Sequence, residues 1–314
     1  MIYNFIEPKK PVYKKGVLVI HSDDGGIGDY NSWYPLFLKK CREYSGWDGD
    51  YPVVNNSAIS TGIIDTFGFM MRENLYALLR AGWEMMSHGR HHVSIGLHPV
   101  IGTVSAGSTS FSVGGAAMFM FAADYKLLIY DENNREEVQV KNIDSIVSSA
   151  TSTMHITSPL INNYTNAKIR LTDESARDLL QGCVDDAKAW GIDLKHHVYT
   201  YHAGGDGFFN ERALEWVNLY FESGRGRQTL TEVNDKGNIN LPNLISTLNT
   251  QASNTDIDKL LDLTAQNDQL FIFYGHGEGT IERLNQLEYL IDGAFSRGIR
   301  IMRHSDALKH YNLI

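Results

Sequence analysis

Short apolar runs that alternate with helix-periodic segments, and that end in acidic or imidazole side chains, constrain this chain more than any other feature. Gly16-Val-Leu-Val-Ile-His-Ser22 is entered from Lys14-Lys15 and closed by Asp23-Asp24-Gly25-Gly26, the pattern of a buried strand running into a tight turn. Trp33, Leu36, Phe37, Cys41 and Tyr44 then recur at helical spacing, and Val53-Val54 with Ala58-Ile59 suggest a second short strand. Leu75, Leu78 and Leu79 mark a helix that stops at Gly82, and Trp83 to Met86 reads as a strand ending at His88. The alternation resumes with a helix over 173–190, a strand at His197 to Tyr201 and a helix over 210–222. It closes with a strand at Leu270 to Tyr274, a helix carrying Ile281, Leu284, Leu287, Ile291 and Phe295, and a last run at Ile299 to Met302.

Strands alternating with helices imply a parallel sheet or barrel, in which reactive groups collect at the carboxyl ends of the strands. Asp23-Asp24, His88, Tyr201-His202 and His276 occupy four such ends. Between about 98 and 171 the texture changes. Phe111 to Val113, Ala117 to Phe121, Lys126 to Tyr130, Glu137 to Val140 and Met154 to Thr157 are short β-type runs separated by Gly, Asn and Asp turns. The expectation is an α/β domain made of residues 1–97 and 172–314, interrupted by a small all-β domain at 98–171.

Composition narrows the function classes. A net charge of −9 argues against nucleic acid as a partner, because phosphate binding needs a basic surface. No run of about 18 apolar residues is present, so membrane insertion is not expected. The first residues lack the apolar core and small-residue cleavage site of a secretory signal. Cys41 and Cys183 fall among the apolar positions of helices, which points to buried, reduced thiols. The 12 histidines inform through their clustering. In His88-Gly-Arg-His-His92 two imidazoles are four apart, a spacing that on one helical turn puts both on one face where they can share a cation. Two imidazoles with one carboxylate leave coordination positions open, and a second, unligated carboxylate beside them can serve as a base. The bland readings are a capped turn at Asp23-Asp24 and a polar loop at 88–92.

The strand-Asp-Asp-Gly motif, the His-x-x-x-His after a Gly-Trp-Glu strand, and the apolar strand ending at His276 resemble the polysaccharide deacetylases of the NodB-homology group, carbohydrate esterase family four. The resemblance covers about 16–97 and 172–308 and implies a distorted (β/α) barrel. It implies Asp23 as general base, Asp24, His88 and His92 as ligands of one divalent cation with zinc expected, and His276 as general acid. Gly89 stands where the family carries a hydroxyl residue that braces the loop. The family's third motif is reduced here to Tyr201-His-Ala-Gly-Gly205, its fourth is missing, and Arg225 or Arg227 could replace the arginine that steadies the base. Tyr201, His202 and Arg225 are the expected substrate contacts, with Tyr30, Trp33, Phe208 and Phe209 as candidates for stacking on sugar rings.

The function implied is removal of acetyl groups from an N- or O-acetylated polysaccharide. The rivals are a glycan-binding module that has lost turnover and a small-molecule C–N hydrolase. Thr153 to Tyr164 resembles the closing strand of small β modules of bacteriophage tail proteins. The expected setting is therefore extracellular glycan, reached either as a virion tail component or as a secreted protein trimmed of its signal, with homo-oligomers or tail proteins as further partners.

Overall fold

The computed structural model describes residues 13, 15–45, 52–115, 119, 122, 125–144, 151–202 and 208–314. Its centre is a closed barrel of seven parallel strands. In chain order these are β1 (Val17–Ser22), β2 (Asn56–Ile59) and β3 (Glu84–Ser87), then, beyond an inserted segment, β12 (His196–Val198), β13 (Ser223–Gln228), β14 (Leu244–Leu248) and β15 (Leu270–Gly275). Each pairs with the next, and β15 closes on β1 in register from Val17↔Leu270 to Ser22↔Gly275. A short β16 (Arg300–Ile301) covers the start of β1, where β2 has not yet begun. The connecting helices are α1 (Tyr34–Ser45), α2 (Arg72–Arg80), α3 (Asp173–Ala189), α4 (Glu211–Tyr220), α5 (Asn254–Asn267), α6 (Ile281–Ser296) and α7 (His304–His310). None of the described helices is long and apolar enough to cross a membrane.

Alternation along β1 sorts its side chains. Leu18 and Ile20 pack outward with Phe271 and Phe273 against the helices, while Val17 and Val19 share an inner cluster with Leu244, Leu270 and Ile272. Ala307 and Leu308 of α7 complete that inner cluster and plug the amino-terminal mouth of the barrel. Above the plug lies a buried polar layer. His21 Nε2 meets His304 Nδ1 at 3.2 Å, and Ser223 Oγ bridges His304 Nε2 and His196 Nδ1, at 2.9 Å to each. His196 Nε2 then reaches Ser305 Oγ at 2.7 Å, and Ser305 hydrogen-bonds Glu84. Imidazoles fill an interior usually built from branched aliphatics because each finds a partner there.

Two barrel strands carry no sequence signal of their own. Ser-Gly-Arg-Gly-Arg-Gln of β13 lacks apolar alternation, yet Ser223 to Arg225 are fully buried. Gly224 faces the outer helices so closely that a Cβ would lie 2.8 Å from Tyr199 and Val217 side chains. β14 and α5 likewise complete the barrel where no element was anticipated.

The inserted segment is antiparallel β. Its strands are β4 (His98–Pro99), β5 (Thr103–Val104), β6 (Ser110–Gly114), β7 (Lys126–Tyr130), β8 (Arg135–Ile143), β9 (Thr151–Ile156), β10 (Tyr164–Thr165) and β11 (Lys168–Leu171). Six of them form one sheet in the order β4-β11-β7-β8-β9-β6, while β5 pairs with β10. The run at Ala117 to Phe121 lies outside the described residues apart from Phe119. β9 sits between β8 and β6, so Thr153 to Ile156 is an interior strand and does not close the sheet. The insert does not own a private core. Val113, Leu127, Ile129, Met154 and Ile169 share one cluster with Leu179 and Leu180 of α3 and with Trp216 and Val217 of α4.

A candidate metal centre at the carboxyl end of the barrel

β1 delivers Asp23 and Asp24 to the barrel mouth. The Asp23 N–H donates to Gly275 O at 2.8 Å, extending the β1–β15 ladder by one residue. Asp23 is buried and turns toward the interior, where one carboxylate oxygen, Oδ2, is held by Arg225 Nη2; Oδ1 has no partner among the described residues. At Asp24 the backbone enters the left-handed region, φ 76°, and the carboxylate swings over the mouth.

β3 ends at Ser87, and the chain that follows is a loop, not the helical turn expected from the four-residue spacing. Its imidazoles converge because the loop folds back through left-handed positions at Gly89 (φ 77°) and His92 (φ 38°). Gly89 accounts for the departure from a hydroxyl residue, since a side chain there would carry that strain and crowd Leu179 at 3.2 Å. Arg90 pins the loop to α3, its N–H donating to Leu179 O and its guanidinium to Asp186. Asp24 Oδ1 lies 3.2 Å from His88 Nε2 and 3.0 Å from His92 Nε2, and one ligand atom from each residue falls within 4.8 Å of the others. His88 Nδ1 donates to Val198 O at 2.8 Å, which leaves Nε2 with the lone pair that faces Asp24. Two imidazoles and a carboxylate, one imidazole locked by a carbonyl behind it, fit a divalent cation such as zinc with open positions. Burial alone would raise the Asp24 pKa, but the His88 and His92 imidazoles beside it hold it far below the carboxylate range.

Arg225 is 2% exposed, and its guanidinium stacks 4.0 Å from the Tyr274 ring centroid while it pairs with Asp23. It therefore stands behind the carboxylate, not in the groove, a correction to its expected contact with substrate. Arg227, the other candidate, is half-exposed and pairs with Glu232 at 3.3 Å. Tyr201 also departs from expectation: β12 ends at Val198, and Tyr201 lies in a short helical turn with φ 53°. A bulky residue in that region is strained, and such strain gathers at functional sites. Its ring meets His92 edge-on at 4.7 Å, and burial together with the Asp24 charge pushes its hydroxyl up to about 12. The His202 side chain and residues 203–205 lie outside the described residues. Of the aromatics considered for stacking, Trp33 is a core residue, Tyr30 stacks on Tyr34, Phe208 stacks on His98, and Phe209 is exposed.

His276 follows the last residue of β15, the strand paired with β1, and its side chain is 42% exposed. Burial would lower its pKa, but Glu278 and then Asp23 and Asp24 raise it to about 9. The sequence reading missed Glu278 and Asn249, which surround this histidine. The only local signal was an acidic residue two positions beyond His276 in Gly-His-Gly-Glu-Gly.

No family model matches the sequence, and no curated protein matches it. Solved structures do. The chain is similar to the CE4 domain of a multidomain xylanase from the hindgut metagenome of Trinervitermes trinervoides, at 10% identity over 95% of this chain and 91% of that one, TM-score 0.46. It is similar to a family 4 carbohydrate esterase from Streptomyces lividans in complex with acetate, at 10% identity over 91% of each chain, TM-score 0.44. The Bc1960 peptidoglycan N-acetylglucosamine deacetylase shares 11% identity over 95% of this chain and 90% of that one, TM-score 0.45. At such values the chemistry has to stand on the residues of the site itself.

Proposed function

We propose that this protein is a metal-dependent hydrolase that removes acetyl groups from an N- or O-acetylated polysaccharide. One observation carries the reading. Asp24, His88 and His92 converge in a group that could hold a cation, while the adjacent Asp23 is held by Arg225 with one carboxylate oxygen unpartnered among the described residues. The substrate class rests on the resemblance of these motifs to the polysaccharide deacetylases.

When bound at Asp24, His88 and His92, a divalent cation would supply Lewis-acid chemistry, polarising the acetyl carbonyl and lowering the pKa of water. Asp23 accepts the proton of the attacking water on Oδ1, the oxygen that Arg225 leaves free. Arg225 holds that carboxylate oriented from below. A backbone N–H near Tyr201, whose ring packs on His92, would donate to the developing oxyanion. His276 gives its proton to the departing amine or alcohol as the C–N or C–O bond breaks, leaving acetate. A virion tail remains the proposed vehicle to extracellular glycan, resting on the sequence likeness of Thr153 to Tyr164 alone and not on its place in the sheet, where β9 is interior.

The test is acetate release from chitin oligosaccharides, peptidoglycan and acetylated xylan, by the zinc-loaded protein and after chelation. Release that vanishes with the chelator and returns with zinc supports the reading. A zinc-loaded protein that binds these glycans without releasing acetate is a glycan-binding module, and the proposal fails.

A further inference from the structure

The loop that carries His276 also carries a carboxylate folded back onto it. β15 ends at Gly275, and the chain passes His276, Gly277 and Glu278 before Thr280 caps α6. Glu278 Oε2 accepts the His276 backbone N–H at 2.9 Å, and Oε1 lies 3.5 Å from His276 Nδ1. Asn249, the first residue after β14, donates from Nδ2 to Glu278 Oε2 at 2.9 Å. Its own backbone N–H donates to Tyr274 O at 2.8 Å, which fixes it to the strand that delivers His276. From the other side, Trp33 Nε1 donates to the Glu278 carbonyl at 3.2 Å. The carboxylate is thus held by its own loop and by Asn249, with Trp33 fixing the backbone behind it, and it faces one nitrogen of the ring.

We propose that Glu278, oriented by Asn249, is a positioning residue that holds His276 through Nδ1 and keeps the ring protonated, so that Nε2 carries the proton delivered to the leaving group. The assignment rests on the deacetylase reading for what that proton does, and on geometry for how it is held. Among the described residues, the charged groups facing His276 are Glu278 on its own loop and Asp23 and Asp24 on the turn after β1, with the Tyr274 ring 6.1 Å away. Arg225 already neutralises Asp23, and a cation on Asp24 would cancel that carboxylate's pull, so Glu278 is left as the uncompensated negative charge. The partner agrees: burial would raise the Glu278 pKa, but hydrogen bonds from His276 and Asn249 bring it down to about 2.

The experiment uses zinc-loaded protein and two independent readouts: the His276 ring titration by NMR and the pH profile of acetate release from chitin oligosaccharides. Glu278→Gln keeps the shape and an oxygen for the His276 N–H but removes the charge. The His276 titration should move down by about one pH unit, since a carboxylate at this distance in a half-open site sits at the low end of charge-pair shifts. The alkaline limb of kcat should follow by the same amount while KM holds. Asn249→Ser should move both in the same direction by less, and it covers the case in which Glu278→Gln does not fold. A merely structural role would lower kcat without moving the limb or the titration, and that result overturns the proposal. If the wild type releases no acetate, the NMR shift still decides whether Glu278 holds the proton, so failure of the deacetylase reading shows separately as inactivity with the titration shift intact.

Discussion

Acid should unfold this protein at an unusually high pH, because its interior is built on neutral histidines. His21, His98, His196, His197 and His304 are buried, and burial is the first cause that lowers the pKa of each. Arg225 adds to the effect at His21, His197 and His304, and Lys195 and Lys309 add to it at His196. His98 falls to about 4 and His196 to about 3, and the other three lie well below 6.5. In the unfolded chain these rings protonate near 6.5, so below that pH the unfolded state binds more protons and stability drops as pH falls. Each ring held neutral costs about 2 kcal/mol by pH 5, so five together cost about 10 kcal/mol. Asp29 works in the opposite sense. Burial, opposed by hydrogen bonds from Ser57 and Ser22, raises it to about 7, so the folded state takes up a proton first and recovers about 3 kcal/mol by pH 5. Glu84, raised by burial, adds in the same direction. His276, raised to about 9, works the same way and recovers about 1–2 kcal/mol once screening of its partly exposed ring is allowed for, so the net loss between pH 8 and pH 5, about 5 kcal/mol, reaches the low end of the whole stability of an ordinary domain, about 5–15 kcal/mol. Urea unfolding followed by circular dichroism from pH 8 to 5.5, with chelator present to exclude metal release, measures it. His196→Gln should lower stability at pH 8 yet shallow the pH dependence by about one ring's share. Stability that stays flat from pH 8 to 5.5, or an unchanged slope in His196→Gln, would refute the reasoning.

Asp24→Asn should weaken zinc binding and turnover together, whereas Asp23→Asn should keep the metal and lose about 10²–10⁴ in kcat, as for loss of a general base; metal content with acetate release distinguishes them. Arg225→Met should leave a buried carboxylate unpaired and destabilise the fold by about 3–5 kcal/mol in urea titrations, and Asp23→Asn in the same chain should recover part of that loss. Replacing 100–168 with a short Gly/Ser linker should yield protein that aggregates or binds hydrophobic dye. Leu179, Leu180, Trp216 and Val217 would lose their cover, so the segment does not excise cleanly; a monomeric, cooperatively folding product would contradict this.

Several features were legible in the sequence because they are local. The apolar run at 17–22, its Asp-Asp turn, the helical spacing from Trp33 to Tyr44 and the run ending at His276 record which side chains must leave water and where the backbone must turn. The donor types were also legible, since carboxylates and imidazoles in those places suit few other purposes. Convergence was not. His88 and His92 meet Asp24 through left-handed loop residues, not along a helical face, and backbone handedness at a non-glycine residue leaves no mark in composition. β13 escaped notice because periodicity reports burial only when burial is apolar, and Ser223 and Arg225 are buried through polar partners far along the chain, His196 and His304 for one and Asp23 for the other. The insert read as a unit because its strands alternate, but its inner face is shared with α3 and α4. Alternation shows that a strand has an inner face, and only the packed structure decides which residues meet it.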